Sequence, residues 1–209
     1  MPWVLTGVIA VISLVTAGQK IGYERLARQS VARSIAAEQF ATQTPDQQER
    51  TIALGAKITR ITFYLTPVIF LIVWMIIAGV LMTAFNLAFD AQVSFSCALG
   101  VVIYSSLPGC IASIWALISV LLNASPSSMN FQNMIASNPA YFMDRATSSG
   151  FLYRFCGSLD LFAFWSIFLM GIGFSIISKN RKLSRGKATV IVLILFLLWK
   201  LSTAAIGLG

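Results

Sequence analysis

Residues 138–177 read NPAYFMDRATSSGFLYRFCGSLDLFAFWSIFLMGIGFSII. A polar, turn-rich approach, Asn138 to Gly157, gives way to an unbroken apolar run that opens on a carboxylate, Asp160. The run is of hydrocarbon-crossing length at 1.5 Å per helical residue. A base-rich loop follows, and then a second apolar run that carries Lys200. An acid and a base inside such segments are costly unless paired, hydrated or at the interface. The rest of the chain is read outward from these two runs.

Of the 209 residues, 57% are hydrophobic and only 11% charged. Soluble domains carry about 25% charged residues, so this chain has too little polar surface to face water all round and must face lipid. The class is all-α, a polytopic membrane helix bundle. The net charge of +8 does not point to nucleic acid, because the bases flank apolar spans and form no single stripe. Anionic lipid headgroups are the partners that this placement predicts.

The chain has no histidine, which removes the commonest metal ligand and general base. Cys97, Cys110 and Cys156 are odd in number and lie in or beside apolar spans, so they read as small hydrophobes. Phosphate-loop, nucleophile-elbow and dinucleotide fingerprints are missing. No catalytic residue, cofactor or metal site is expected. Residues 1–17 are apolar with no preceding base, which predicts a retained span rather than a secretory signal.

Taken in order, the spans fall at about 2–17, 61–84, 95–122, 159–177 and 188–208, within one domain, 1–209. Residues 19–60 form an extramembrane helical hairpin. Its first arm either lies on the surface or continues the first span. Its turn is legible at Thr44-Pro45-Asp46-Gln47, a capping box with proline at the first helical position. Pro67 is expected to bend the second span. Pro108-Gly109 is expected to break the third, with Ser105 and Ser106 hydroxyls serving the freed backbone groups. Two readings of that break stand side by side: a kinked helix among neighbours, or a broken helix lining a polar path. Residues 123–154 predict short interfacial helices with Tyr and Phe at headgroup depth.

Lys179, Arg181, Lys182, Arg185 and Lys187 put five bases and no acid into nine positions. A loop this short belongs on the cytoplasmic side, which places the N-terminus inside, the C-terminus outside and the hairpin outside. The hairpin opposes this with seven bases against four acids. Counting outward from the loop sets Asp160 ~27 Å up one helix and Lys200 ~18 Å up the other. Asp160 and Lys200 then either act separately, as a helix-end anion and a snorkelling base, or join Tyr104, Ser105 and Ser158 in a buried polar network.

The C-terminal half resembles the Yip1 family in its bacterial form. The matching residues are Asn138-Pro139, Phe142-Met143-Asp144, Ser158-Leu159-Asp160-Leu161-Phe162 with Trp165, Gly171 to Phe174, Arg185-Gly186-Lys187-Ala188 and Trp199-Lys200. Tyr104-Ser105-Ser106-Leu107-Pro108 belongs with them. The likeness covers roughly 93–208 and, more loosely, the segments before it. It implies five membrane helices with a cytoplasmic N-terminus, in a bacterial cytoplasmic membrane. Eukaryotic members act in vesicle traffic and bind small GTPases and one another; in this chain the missing reactive set, with the small and aromatic residues along the spans, points to a non-enzymatic role by contact. Bacterial relatives usually carry an extra stretch before the Pro-Trp found here at Pro2-Trp3. The expected function is a scaffold or accessory subunit that contacts other membrane-protein subunits or itself. The alternative is a small permease or channel using the broken third span and the Asp160/Lys200 charges.

Overall fold

The computed structural model describes residues 2–31, 37–122, 135–144, 147–180 and 183–206. Its helices are α1 (Pro2–Ile21), α2 (Tyr23–Val31), α3 (Ala37–Ala41), α4 (Pro45–Phe89), α5 (Phe95–Ser105), α6 (Pro108–Leu122), α7 (Gly150–Ser158), α8 (Leu161–Ile177) and α9 (Arg185–Ala205), with a 3-10 turn at Pro139–Phe142. No strand occurs among the described residues. Among the described residues, four segments are long and apolar enough to cross a bilayer: α1, α4, α5 with α6, and α9. A fifth is α7 with α8, if that pair, bent by 52°, counts as one span.

Local chemistry accounts for most boundaries. The Thr44 side chain accepts from Gln47 N while Gln47 Oε1 accepts from Thr44 N, so the predicted capping box starts α4. The first span extends past residue 17 to Ile21, and there Gly22, at φ 93°, ends it. The first hairpin arm therefore does not continue α1. It restarts as amphipathic α2, which buries Leu26 and Ala27 against α4, where Ile52 is also buried. Gly55 allows this approach, since a Cβ there would lie 3.1 Å from Ala27 Cβ.

Pro67 lies inside α4, which stays one helix over its 45 residues. The proline ring seats on α1, where a Cβ on Gly7 would come within 3.0 Å of Pro67 Cβ. Packing by a neighbour is what makes an intramembrane proline tolerable. At Pro108-Gly109 the interruption is real but short. Leu107 N takes over the Tyr104 carbonyl at 3.3 Å, which Pro108 has no N–H to serve. The Ser106 hydroxyl donates to Val102 O at 2.8 Å. Gly109 N donates to Ser106 O at 3.0 Å and Cys110 N to Leu107 O at 2.9 Å, and α5–α6 together form a 28-residue segment long and apolar enough to cross as one span.

The core lies among α4, α5, α8 and α9 and includes Trp74, Phe85, Val102, Ile167, Phe174 and Val192. Phe85 and Phe174 stack at 4.6 Å between ring centroids. Gly171 meets Thr189, and Phe164 meets Phe196, so α8 and α9 run antiparallel. The helix α1 lies parallel to α6, with Thr6 against Cys110 and Ala17 clustered with Val120 through Ile21. At one end of the bundle the loops α4–α5 and α8–α9 are tied. Lys179 N donates to Ala91 O at 3.0 Å, and Asn180 Nδ2 donates to Phe89 O. Asn86 exchanges two hydrogen bonds with the backbone of Val93, which shapes the α4–α5 turn. Of the interfacial stretch 123–154, residues 123–134 and 145–146 lie outside the described residues. The remainder supplies the 3-10 turn and α7, with Tyr141 and Phe142 exposed.

Candidate functional site: the polar groups of the spans

Asp160 is the N-cap of α8. Its Oδ1 accepts from Phe162 N at 2.8 Å and from Ala163 N at 3.4 Å. Its Oδ2 accepts from the Ser137 hydroxyl. Leu161 N in turn donates to Ser137 O at 2.9 Å, so the turn before Asn138-Pro139 is fastened to the start of α8. A carboxylate at this position meets both the orphan amides and the positive end of the helix dipole. Its acceptor capacity is spent on structure.

Lys200 sits nearer Asp160 in depth than residue counting predicts. The helix α9 starts at Arg185, three residues before the expected boundary of 188. Extending the register of Gly171–Thr189 and Phe164–Phe196 sets Lys200 level with Asp160. The ~9 Å offset therefore disappears, yet among the described residues no ion pair joins the two. The Lys200 ammonium instead stands 5.8 Å from the Phe196 ring centroid, one helical turn away, a favourable cation–π placement.

The wider network is not assembled. Tyr104 points outward and is 60% exposed. Ser105 is buried, and Ser158 Oγ bonds its own helix at Phe155 O, 2.7 Å away. Arg154, which carried no assignment, reaches from α7 to Ala204 O near the end of α9, at 3.3 Å. Ser137 was equally invisible, because it lies 23 residues before Asp160 and no helical or turn spacing links them. Asn86 and Asn180 could have been sought, since asparagine beside a helix end commonly bonds backbone.

At the tied end, Lys179, Arg185 and Lys187 are exposed, and Ser184 caps α9 through Lys187 N. Arg181 and Lys182 lie outside the described residues. Among those described, no group of three His, Cys, Asp or Glu side chains could hold a metal ion. At the other end, on α2, burial raises the pKa of Tyr23, Tyr64 adds to the rise, and Arg60 opposes it. Between α1, α4 and α6 lies a cavity of about 140 Å³ lined by Ala10, Ser13, Leu14, Ala17, Phe70, Ser113, Ala116 and Leu117. It is essentially apolar, and none of its lining comes from α8 or α9.

The sequence model of the Yip1 domain matches residues 1–206. The chain belongs to the Yip1 family. No curated protein and no solved structure matches it.

Proposed function

We propose that this Yip1-family membrane protein works by contact, as a scaffold or accessory subunit of a membrane assembly. The observation that carries this reading is the use made of Asp160: its oxygens serve two backbone amides and Ser137. A group committed to a helix cap is a poor relay or ion ligand. Lys200 is occupied with Phe196, and at the α5–α6 interruption Leu107 N and the Ser106 hydroxyl bond the backbone carbonyls of Tyr104 and Val102. The permease alternative requires a hydrated passage beside these groups. Within one bilayer-spanning domain, the partners are other membrane-protein subunits or a second copy. The exposed Lys179, Arg185 and Lys187 face anionic headgroups.

The orientation that follows from the base-rich loop puts the tied end and the N-terminus inside a bacterial cytoplasmic membrane, with the arm of α4 and the C-terminus outside. Asp46→Cys and Lys187→Cys, each in a variant free of other cysteines, test this with a membrane-impermeant thiol reagent. Asp46→Cys is expected to label in intact cells and Lys187→Cys only after lysis; the reverse pattern inverts the orientation. The functional reading is tested by gentle detergent extraction and light scattering. A stoichiometric assembly is expected. A monodisperse monomer that also conducts ions in liposomes overturns the contact reading in favour of the permease.

A further inference from the structure

We infer that a second copy of this chain docks along the outward face of α4, the two α4 helices lying side by side and parallel. This rests on the contact-based reading and specifies the surface. Leu54, Ile58, Ile61, Leu65, Val68, Ile72 and Met75 follow one another at alternating spacings of four and three residues. That is a heptad seam, the pattern that lets helices interlock side chains along their length. Each of the seven is 38–63% exposed. They lie on the side of α4 opposite Ile52, Phe63, Trp74, Leu81 and Phe85, which are buried within the protein.

Lipid accounts for exposed apolar residues from Ile61 onward. It does not account for Leu54 and Ile58, at 62% and 63% exposure, which precede Arg60 and flank Lys57. Their level is beyond Phe63, which packs with Ile21 at the end of α1. The arm of α4 is thus apolar on both sides, and α2 covers only the inner one.

Three features favour a second copy as the occupant. Copies inserted into one bilayer share an orientation, so a two-fold pair about the membrane normal sets α4 parallel to its equivalent. At roughly 100 Å² open per side chain, the seam offers roughly 700 Å² per copy, or roughly 1,400 Å² per pair, which reaches the standard interface class. The bases beside the seam do not conflict: in a parallel heptad pairing Arg50 faces the partner's Gly55, and Lys57 faces the partner's Thr62.

The test uses the full-length chain in membranes, with Cys97, Cys110 and Cys156 replaced by alanine. Single cysteines are placed on the seam (Leu54→Cys, Ile58→Cys, Ile61→Cys) or at exposed positions off it (Ala53→Cys, Arg60→Cys). Mild oxidation is expected to give disulfide dimers at the three seam positions, at least fivefold above the other two. In the native-cysteine chain, Ile58→Asp should cut the dimer fraction in nanodiscs at least tenfold with helicity and melting unchanged. Uniform cross-linking, or a dimer indifferent to Ile58→Asp, overturns the seam assignment. A native chain that is monomeric, or an assembly that forms without seam cross-links, sinks this proposal alone, whereas a monomer that also conducts ions in liposomes sinks the contact reading with it.

Discussion

The helix seams built from small residues end up in two different ways in this bundle. Between α8 and α9, and between α8 and α5, glycine faces a β-branched residue. A Cβ on Gly171 would lie 2.5 Å from Thr189 Cα, and one on Gly173 would lie 2.5 Å from Val101 Cγ1. Between α1 and α6, small faces small: Ala10, Ser13 and Ala17 look across at Ser113 and Ala116, and the cavity remains. The Ser13 hydroxyl there is buried without a hydrogen-bond partner. Small residues permit close approach in lipid, but a seam closes only where the opposite side chain fills the space opened.

The largest expected effect comes from overfilling the closed seam. Gly171→Ala should destabilise by about 3 kcal/mol, because backbone must move, while Gly173→Ala should cost only about 1 kcal/mol, because a valine side chain can turn. Thermal unfolding in one detergent compares them, and equal losses would mean that a backbone contact and a side-chain contact yield alike. Next, Asp160→Leu should cost about 2 kcal/mol by uncapping α8 and orphaning Ser137, with Asp160→Asn recovering most of it. Lys200→Leu should change melting by less than about 0.5 kcal/mol. Similar melting of the Asp160→Leu and Lys200→Leu variants would mean that the two charges act together.

On the open seam the sign reverses. Ser13→Ala should stabilise by about 1 kcal/mol, since it removes an unsatisfied hydroxyl from an apolar site. A loss of stability would mean that Ser13 has a partner in the membrane. The smallest effect is expected at Gly109→Ala, a gain of about 0.5 kcal/mol from helix propensity. A Cβ there meets nothing within 4 Å, so a clear loss at this position would mean that the α5–α6 interruption has a flexibility requirement of its own.

The contrast between the two polar groups shows where residue order ceases to inform. Asp160 at the head of an apolar run was legible as a helix-end anion, since capping acts within three residues. Its second partner, Ser137, was not, and neither was the bond from Arg154 to Ala204. The Asp160–Lys200 offset failed because it depended on where α9 begins and how it registers with α8: Ser184 as N-cap moved the start to Arg185, about half of the ~9 Å, and the Gly171–Thr189 and Phe164–Phe196 contacts set the rest. Pro67 is a different case: its ring packs on a glycine of α1, sixty residues away in the chain.

Composition and hydropathy by themselves determined that this is a membrane protein, that its backbone is helical, and where most of its long apolar helices lie. The free energy of leaving a peptide group unbonded in hydrocarbon admits few other solutions. Capping at Thr44 and the interruption at Pro108 were equally local, each decided within one turn of chain. Only the tertiary structure decided which glycine faces which side chain, the depth of Lys200 against Asp160, and which apolar face of α4 stays open. Those depend on shape complementarity between segments distant in sequence, and the hydrophobic signal is the same for a helix face turned to lipid, to a neighbour or to a second copy.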